Sequence, residues 1–369
     1  MTASPVEAQP VVAQIVQHLA PGGIETMALD IQRKARNPSN VHIISLEGTP
    51  SEAIEHWPRL QDMERVHFLT KPPGLSLSTV TKLTRLLRQL NVDVVHTHHV
   101  GPLIYGGIAA KLAGCGHVHT EHDAWHLNQQ KRRWLVTACF HLLKPAVAAD
   151  AELVAASIRQ HIPLFTPSVV LNGIDTDKFQ PADQAAARNK LNLPLDASII
   201  GCAARFTEVK SHHLLIDAFS RLPDSAHLAL AGGGELEHEL RKLTSRLNLD
   251  QRVHFLGVID DMPGFYHAID IFCLASKKEG LPLSPLEAQA CQRVVVMTDV
   301  GGCREAVDPQ SGILIKAEST QALETALKTQ LCSGINKEKQ ASARNFVVNH
   351  CNLERMISQY DDLYCGRPL

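Results

Sequence analysis

The feature that most constrains this chain is an alternation that runs through it twice. Short apolar stretches give way to loops and then to segments with a helical apolar face. The first series of stretches covers residues 11–16, 41–45, 66–69, 92–96, 118–120 and 153–155. Helical patterns lie between them at 24–34 and 78–90, and the second sets Val80, Leu83, Leu86, Leu87 and Leu90 on one face. A second series follows Pro181, at 199–203, 228–231, 253–256, 270–274, 294–298 and 312–315. Such alternation predicts parallel strands covered by helices on both faces. One open sheet of about a dozen strands is unfavourable. The expected fold is therefore α/β, with two doubly wound Rossmann-like domains facing each other across a cleft. The 369 residues suit two domains of ordinary size. Asn172-Gly173 and Pro181 punctuate the chain between the two series, which places the domains at 1–175 and 176–351.

Composition removes several classes. Hydrophobic residues make up 44% and charged residues 20%, as in ordinary globular proteins. Aromatic residues are only 5%, net charge is −2, and no long basic block occurs, so nucleic acid is not an expected partner. The nine cysteines are scattered, form no C-x-x-C pair and are odd in number, which reads as reduced, mostly buried thiols. The polar start of the chain lacks the basic and apolar regions of a signal peptide. No apolar stretch reaches the roughly 18 residues of a membrane span. A cytoplasmic location is expected.

The chemistry-bearing residues fall just past strand ends, where open α/β sheets bind ligands. After the run 270–274 come Glu279-Gly280-Leu281-Pro282-Leu283-Ser284-Pro285-Leu286-Glu287. This segment reads as a loop and a helix start between two carboxylates. A helix N-terminus offers unpaired N–H groups and a positive dipole end to an anion. Glu279 and Glu287 can accept hydrogen bonds from hydroxyls on either side of it, a pattern that suits a phosphate flanked by polyols, as in a sugar nucleotide. After the run 199–203, Arg205 and Lys210 can grip phosphate oxygens, each charge-assisted hydrogen bond giving roughly 1.5–3 kcal/mol. Near the start, Pro21-Gly22-Gly23-Ile24-Glu25 lets backbone approach a ligand closely. It is not G-x-G-x-x-G, which argues against a nicotinamide site even though Glu47 stands near a strand end.

Histidines crowd the first half, with His96-Thr97-His98-His99 past one strand and His117-Val118-His119-Thr120-Glu121-His122-Asp123 around the next. Their spacing fits neither H-E-x-x-H nor the zinc-deaminase pattern. Asp175-Thr176-Asp177 forms a D-x-D, but in an interdomain turn, where Asx-turn and capping roles are expected. The segment Lys131-Arg132-Arg133-Trp134-Leu135-Val136, with Phe140, Leu142 and Leu143 beyond it, opens a helix with basic charge beside apolar surface. Such a helix suits either a solvated rim over core or peripheral contact with anionic lipid.

In order, these residues resemble the large family of retaining glycosyltransferases of the GT-B fold known as family 4. The resemblance runs from Gly22-Gly23-Ile24-Glu25 through Asp93-Val94-Val95-His96-Thr97-His98 and Thr120-Glu121-His122 to Asn172-Gly173-Ile174-Asp175 with Phe179. It continues through Arg205 with Lys210, Ala231-Gly232-Gly233-Gly234, Glu279 to Glu287, and Gly301-Gly302-Cys303-Arg304-Glu305. The resemblance implies transfer of a hexose from a nucleoside-diphosphate sugar to an acceptor hydroxyl with retention, by a front-face route. Glu287 would hold the ribose and Glu279 the transferred sugar. Backbone around Leu281, Pro282 and Leu283 would hold the sugar and diphosphate. Arg205 and Lys210 would stabilise the leaving group, Gly23 would approach the donor phosphates or the acceptor, and His122 would stand at the reaction centre. No cofactor or metal is expected. UDP-linked sugars rank ahead of GDP-mannose as donors.

A glycan or lipid-linked acceptor is implied, at the inner face of the cytoplasmic membrane, in surface polysaccharide, lipopolysaccharide or glycolipid synthesis. The resemblance also brings a final helix, 352–369, back onto the first domain. Two departures stand out. Ser211 follows Lys210 where the family usually has Gly, and Cys291-Gln292-Arg293 replaces the usual small residue, Gly and Pro. The rival readings are a non-catalytic sugar-nucleotide-binding partner of another transferase and a GT-B sugar-nucleotide epimerase.

Overall fold

The computed structural model describes residues 9–334 and 336–367. The polar start, residues 1–8, and the expected end of the returning helix, 368–369, lie outside the described residues. The chain divides into two compact units. The first holds the residues up to Asn172 and those from Leu353 onward, and the second holds Gly173–Asn352.

The first unit is a seven-stranded parallel sheet, ordered β3-β2-β1-β4-β5-β6-β7. Its strands are β1 (Val12–Val16), β2 (Val41–Ser45), β3 (Val66–Phe68), β4 (Val94–His98), β5 (Gly116–Glu121), β6 (Ala146–Ala149) and β7 (Ser168–Val169). Its helices are α1 (Gly23–Lys34), α2 (Pro50–His56), α3 (Leu77–Gln89), α4 (Val100–Ala113), α5 (Gln130–Leu143) and α6 (Glu152–His161). Alternate residues of β1 feed two different cores. Ala13 and Ile15 pack with Leu83, Leu87 and Ala109, while Val16 packs with Ala28, Leu29 and Trp57. Residues buried on both faces are what a central parallel strand requires.

The second unit has six parallel strands, ordered β10-β9-β8-β11-β12-β13. They are β8 (Ser198–Ala203), β9 (Ala226–Ala231), β10 (Val253–Gly257), β11 (Ile271–Leu274), β12 (Val294–Thr298) and β13 (Ile313–Ile315). Helices α7 (Gln184–Lys190), α8 (His212–Phe219), α9 (Glu237–Arg246), α10 (Met262–Ala268), α11 (Leu283–Ala290), α12 (Thr320–Ser333) and α13 (Lys337–His350) belong to it. Helix α14 (Leu353–Tyr364) then belongs to the first unit, where it packs against α1 and β5.

Two expectations change. Residues 153–155 are not a strand but the first turn of α6, because Val154, Ala155 and Ile158 recur at helical spacing toward the core. The strand beside β5 is instead Ala146-Val147-Ala148-Ala149, whose alanines carry little strand preference of their own. In addition, β4 runs to His98, so His96, Thr97 and His98 lie inside the strand rather than past it. Among the described residues, no helix is long and apolar enough to cross a membrane.

Candidate active site

In the second unit, adjacent strands β8 and β11 both lead into polar loops. Past β8, Arg205 is exposed and its guanidinium makes no ion pair or hydrogen bond with a described residue. A 3-10 turn, Glu208–Lys210, then carries Lys210 inward. Its Nζ lies 2.6 Å from Glu279 Oε1 in the loop past β11. Glu279 is only 8% exposed, and the same carboxylate oxygen also accepts a hydrogen bond from the Ser276 hydroxyl. A buried carboxylate needs such partners. One ammonium donor goes to Glu279, and two remain on Lys210 for an anion.

The Glu279 loop leads into α11, whose N-terminus has no side-chain cap. Leu281 and Pro282 are buried beneath it. Pro282 supplies no N–H but holds φ at −72° for the helix entry, and Leu283 is the first helical residue. Glu287, in the second turn of α11, accepts a 2.6 Å hydrogen bond from the Tyr266 hydroxyl on α10. Burial, then the charge and hydrogen bond of Glu287, push the Tyr266 phenol up, so it remains a donor.

Two glycine loops buttress this edge. Gly301 has φ +54°, and a Cβ there would lie 1.7 Å from the Glu279 carbonyl oxygen. The next residue, Gly302, donates its N–H to the Gly280 carbonyl at 2.8 Å. Likewise Gly234, at φ +154°, would push a Cβ to 2.6 Å from the Phe206 carbonyl, and Phe206 N–H donates to the Gly233 carbonyl at 2.8 Å. The Gly-rich segments thus clamp the two loops that carry Glu279 and Arg205.

In the first unit, His122 follows directly on the end of β5. Its Nε2 is 2.9 Å from His98 Nδ1, and its Nδ1 is 3.5 Å from Asp150 Oδ2, just past β6. Next to it, His126 Nδ1 is 3.0 Å from Asp123 Oδ1 and its Nε2 is 3.8 Å from Glu121. Burial opposes charge on His126, but Asp123 and Glu121 outweigh it and raise its pKa. Burial and then the His122 charge lower His99 to about 4. Helices α1 and α4 start beside one another, past the neighbouring strands β1 and β4, where the strand order reverses. Gly23 opens α1, and neither helix start has a side-chain cap. Among the described residues, no three His, Cys, Asp or Glu are grouped to hold a metal ion. Asp175 Oδ1 instead accepts the N–H groups of Asp177 and Lys178, each at 3.1 Å, as an Asx turn does.

The second unit therefore brings Lys210, Glu279, Leu281, Pro282 and Leu283 onto one loop edge, with Arg205 and Glu287 nearby, and the first unit holds Gly23 and His122. Sequence reasoning missed Tyr266, Ser276 and Asp150, which position Glu287, Glu279 and His122. None stands in a motif; only the fold brings Tyr266 and Asp150 to their partners, whereas Ser276 lies three residues before Glu279 in the same loop.

Two family descriptions match in tandem, Glycosyltransferase Family 4 over residues 21–178 and Glycosyl transferases group 1 over 183–345. The chain belongs to glycosyltransferase family 4. It is a transferase of the GT-B fold, built on the two sheets described above. A UDP-Gal:α-D-GlcNAc-diphosphoundecaprenol α-1,3-galactosyltransferase of Escherichia coli is 28% identical over 308 residues, 78% of this chain and 79% of that one. The lipopolysaccharide core biosynthesis mannosyltransferase LpsB of Rhizobium meliloti (strain 1021) is 34% identical over 184 residues, 46% of this chain and 52% of that one. Among solved structures, Anabaena Alr3699/HepE in complex with UDP and glucose gives a TM-score of 0.83 at 21% identity, covering 97% of this chain and 100% of that one. That likeness speaks for the fold of this family 4 transferase.

Proposed function

We propose that this glycosyltransferase moves a hexose from a UDP-sugar to a hydroxyl of a lipid-linked glycan, with retention of configuration and without a metal ion. The observation that carries the reading is the Lys210–Glu279 pair beside the uncapped start of α11. A diphosphate at that helix start would meet the dipole, the two remaining Lys210 donors and the free Arg205 guanidinium. Glu279 and Glu287 would take hydroxyls of the sugar and the ribose. As the anomeric bond breaks, negative charge grows on the leaving diphosphate, and these fixed groups oppose it without reorganising. The leaving phosphate then helps deprotonate the acceptor on the same face, which preserves the configuration. His122 and Gly23 stand at strand ends of the first unit, and their roles, at the transferred sugar and at a phosphate of the donor or the acceptor, are carried over from the family pattern.

The donor and acceptor classes follow the Escherichia coli relative, whose name pairs UDP-Gal with a GlcNAc diphosphoundecaprenol. GDP-mannose is the second donor, after a GDP-mannose-dependent mannosyltransferase relative of Mycolicibacterium smegmatis. The acceptor would be met at the inner face of the cytoplasmic membrane. On α5, Trp134 is 67% and Leu142 67% exposed, with Leu135 beside Lys131 and Arg132 also at the surface, while Val136 and Phe140 are core. Apolar tips rimmed by cations suit weak contact with anionic lipid.

The test is a donor-by-acceptor assay. UDP-galactose, UDP-glucose and GDP-mannose are offered with a GlcNAc diphosphate lipid, in EDTA, and the anomer is read by NMR. Transfer from a UDP-sugar with retention is expected. Loss of activity in EDTA that Mg²⁺ restores would overturn the metal-free mechanism. An inverted product would overturn retention, and exclusive use of GDP-mannose would reassign the donor. Liposomes of anionic lipid should co-sediment the protein at low salt, and a variant with Lys131, Arg132 and Arg133 all changed to Glu should not bind.

A further inference from the structure

A central parallel strand is expected to carry apolar residues, and buried polar groups there must be fully paired. Strands β1 and β4 break the first expectation and meet the second. Gln14, His96 and His98 are each 0% exposed, on the face of the sheet covered by α14. They form one hydrogen-bonded chain. Gln14 Nε2 donates to the Tyr364 hydroxyl at 2.9 Å, and that hydroxyl is 2.8 Å from His96 Nδ1. His96 Nε2 is 2.7 Å from Thr120 Oγ1, which is 3.1 Å from the Tyr360 hydroxyl. From its other end, Gln14 Oε1 is 2.7 Å from His98 Nε2, and His98 Nδ1 meets His122 Nε2 at 2.9 Å.

Chemistry makes this chain directional. Burial, with the neighbouring imidazoles, holds His96 and His98 well below the usual histidine range, so both rings are neutral. A neutral imidazole has one donor and one acceptor nitrogen. With the Gln14 carbonyl on His98, that ring donates from Nε2 and accepts at Nδ1, so His122 must donate from Nε2. Turning the Gln14 amide over reverses every bond: His122 Nε2 then accepts, and the neutral ring carries its proton on Nδ1, toward Asp150 Oδ2 at 3.5 Å. The amide orientation is in turn coupled to Tyr364 on α14, whose hydroxyl accepts from Gln14 in one orientation and donates to it in the other.

We propose that Gln14, His98 and Tyr364 are positioning residues that fix the ring orientation and tautomer of His122, so that helix α14 reaches the active site through a buried hydrogen-bonded chain. The effect on turnover rests on the reading of His122 as a residue of the transfer site. The orientation of its ring does not.

The two are separated by two measurements. In protein labelled with ¹⁵N-histidine, the His122 signals are assigned by their loss in His122→Asn. Tyr364→Phe and Gln14→Met should shift both His122 nitrogens, although Tyr364 is two hydrogen-bonded residues away. A residue with only a packing role would not do this. Leu363→Ala is the control, because it loosens the packing of α14 and leaves the chain intact. It should lower Tm without moving the His122 signals. In the donor assay, Tyr364→Phe should lower kcat by about 10- to 100-fold, the scale of a misplaced active-site group, with donor KM unchanged. Wild-type His122 signals in both folded variants would overturn the proposal. Shifted signals together with wild-type turnover in His122→Asn would uphold the chain and overturn the role of His122.

Discussion

At the residue scale, the decisive contact is between Lys210 and Glu279. Lys210→Ala leaves a buried carboxylate with only Ser276, which should cost about 1–3 kcal/mol in urea unfolding. It should also weaken binding of free UDP. Arg205→Ala should behave differently. The exposed guanidinium holds no described partner, so stability should stay within about 0.5 kcal/mol. UDP affinity by calorimetry should nevertheless fall about 10- to 100-fold, as loss of a charge-assisted bond implies. Unchanged affinity in both variants would move the phosphate site elsewhere. These side chains were legible in the sequence because each stands in a loop directly past an apolar run. Tyr266, Asp150 and Gln14 were not legible. Tyr266 reads as one more apolar residue of a short helix, and Gln14 as a flaw in a strand, until Glu287 and Tyr364 are brought against them.

At the element scale, both departures from the family pattern fall at left-handed turns. Ser211 has φ +50° at the start of α8, and Gln292 has φ +61° at the end of α11. A side chain in that region costs roughly 1–2 kcal/mol, part of which glycine returns as chain entropy in the unfolded state. Gln292→Gly should therefore stabilise the protein by about 0.5–1 kcal/mol. Ser211→Gly should gain less, since it also gives up the 3.4 Å contact from Ser211 Oγ to the Glu208 carbonyl. Thermal unfolding of the two variants checks the order. The reverse change, Gly301→Ala, should be severe, because the new methyl meets the Glu279 backbone rather than a flexible side chain. Sequence pattern located most strands to within two residues because parallel strands are apolar on both faces. It failed at β6, whose alanines signal burial without signalling strand, and at α6, whose first turn is apolar enough to pass for one. The end of β4 was missed for a different reason. His98 reads as a polar loop residue, and only the pairing with Gln14 and His122 lets a strand bury it.

At the scale of the molecule, histidines with lowered pKa values are unevenly shared. His42, His67, His96, His98, His99 and His117 lie in the first unit and His212, His227 and His254 in the second, all shifted below the ordinary value of 6.5, chiefly by burial. Above pH 6.5 such a group is neutral both folded and unfolded. Below it the unfolded chain takes up a proton that the folded state refuses, so stability falls as pH falls. His99 and His212 reach their folded values at about 4, and His117 at about 3. Each refused proton costs about 1.4 kcal/mol per pH unit, whereas His126, whose pKa is raised, adds a constant stabilisation below pH 6.5 and leaves this slope unchanged. The first unit should therefore lose stability more steeply than the second between pH 6.5 and 4. Trp57, Trp125 and Trp134 all lie in the first unit. Tryptophan fluorescence should thus report an earlier acid transition than far-UV circular dichroism, and coincident transitions would refute the unequal sharing. The division of the chain also sets an order of events during synthesis. The second unit is complete once Asn352 has left the ribosome, whereas the first, begun earlier, still lacks α14. The unit that is started first is finished last. Until Tyr360 and Tyr364 emerge, Gln14, His96 and Thr120 wait without their tyrosine partners at the centre of an uncovered sheet, the kind of half-built surface that chaperones hold and proteases find.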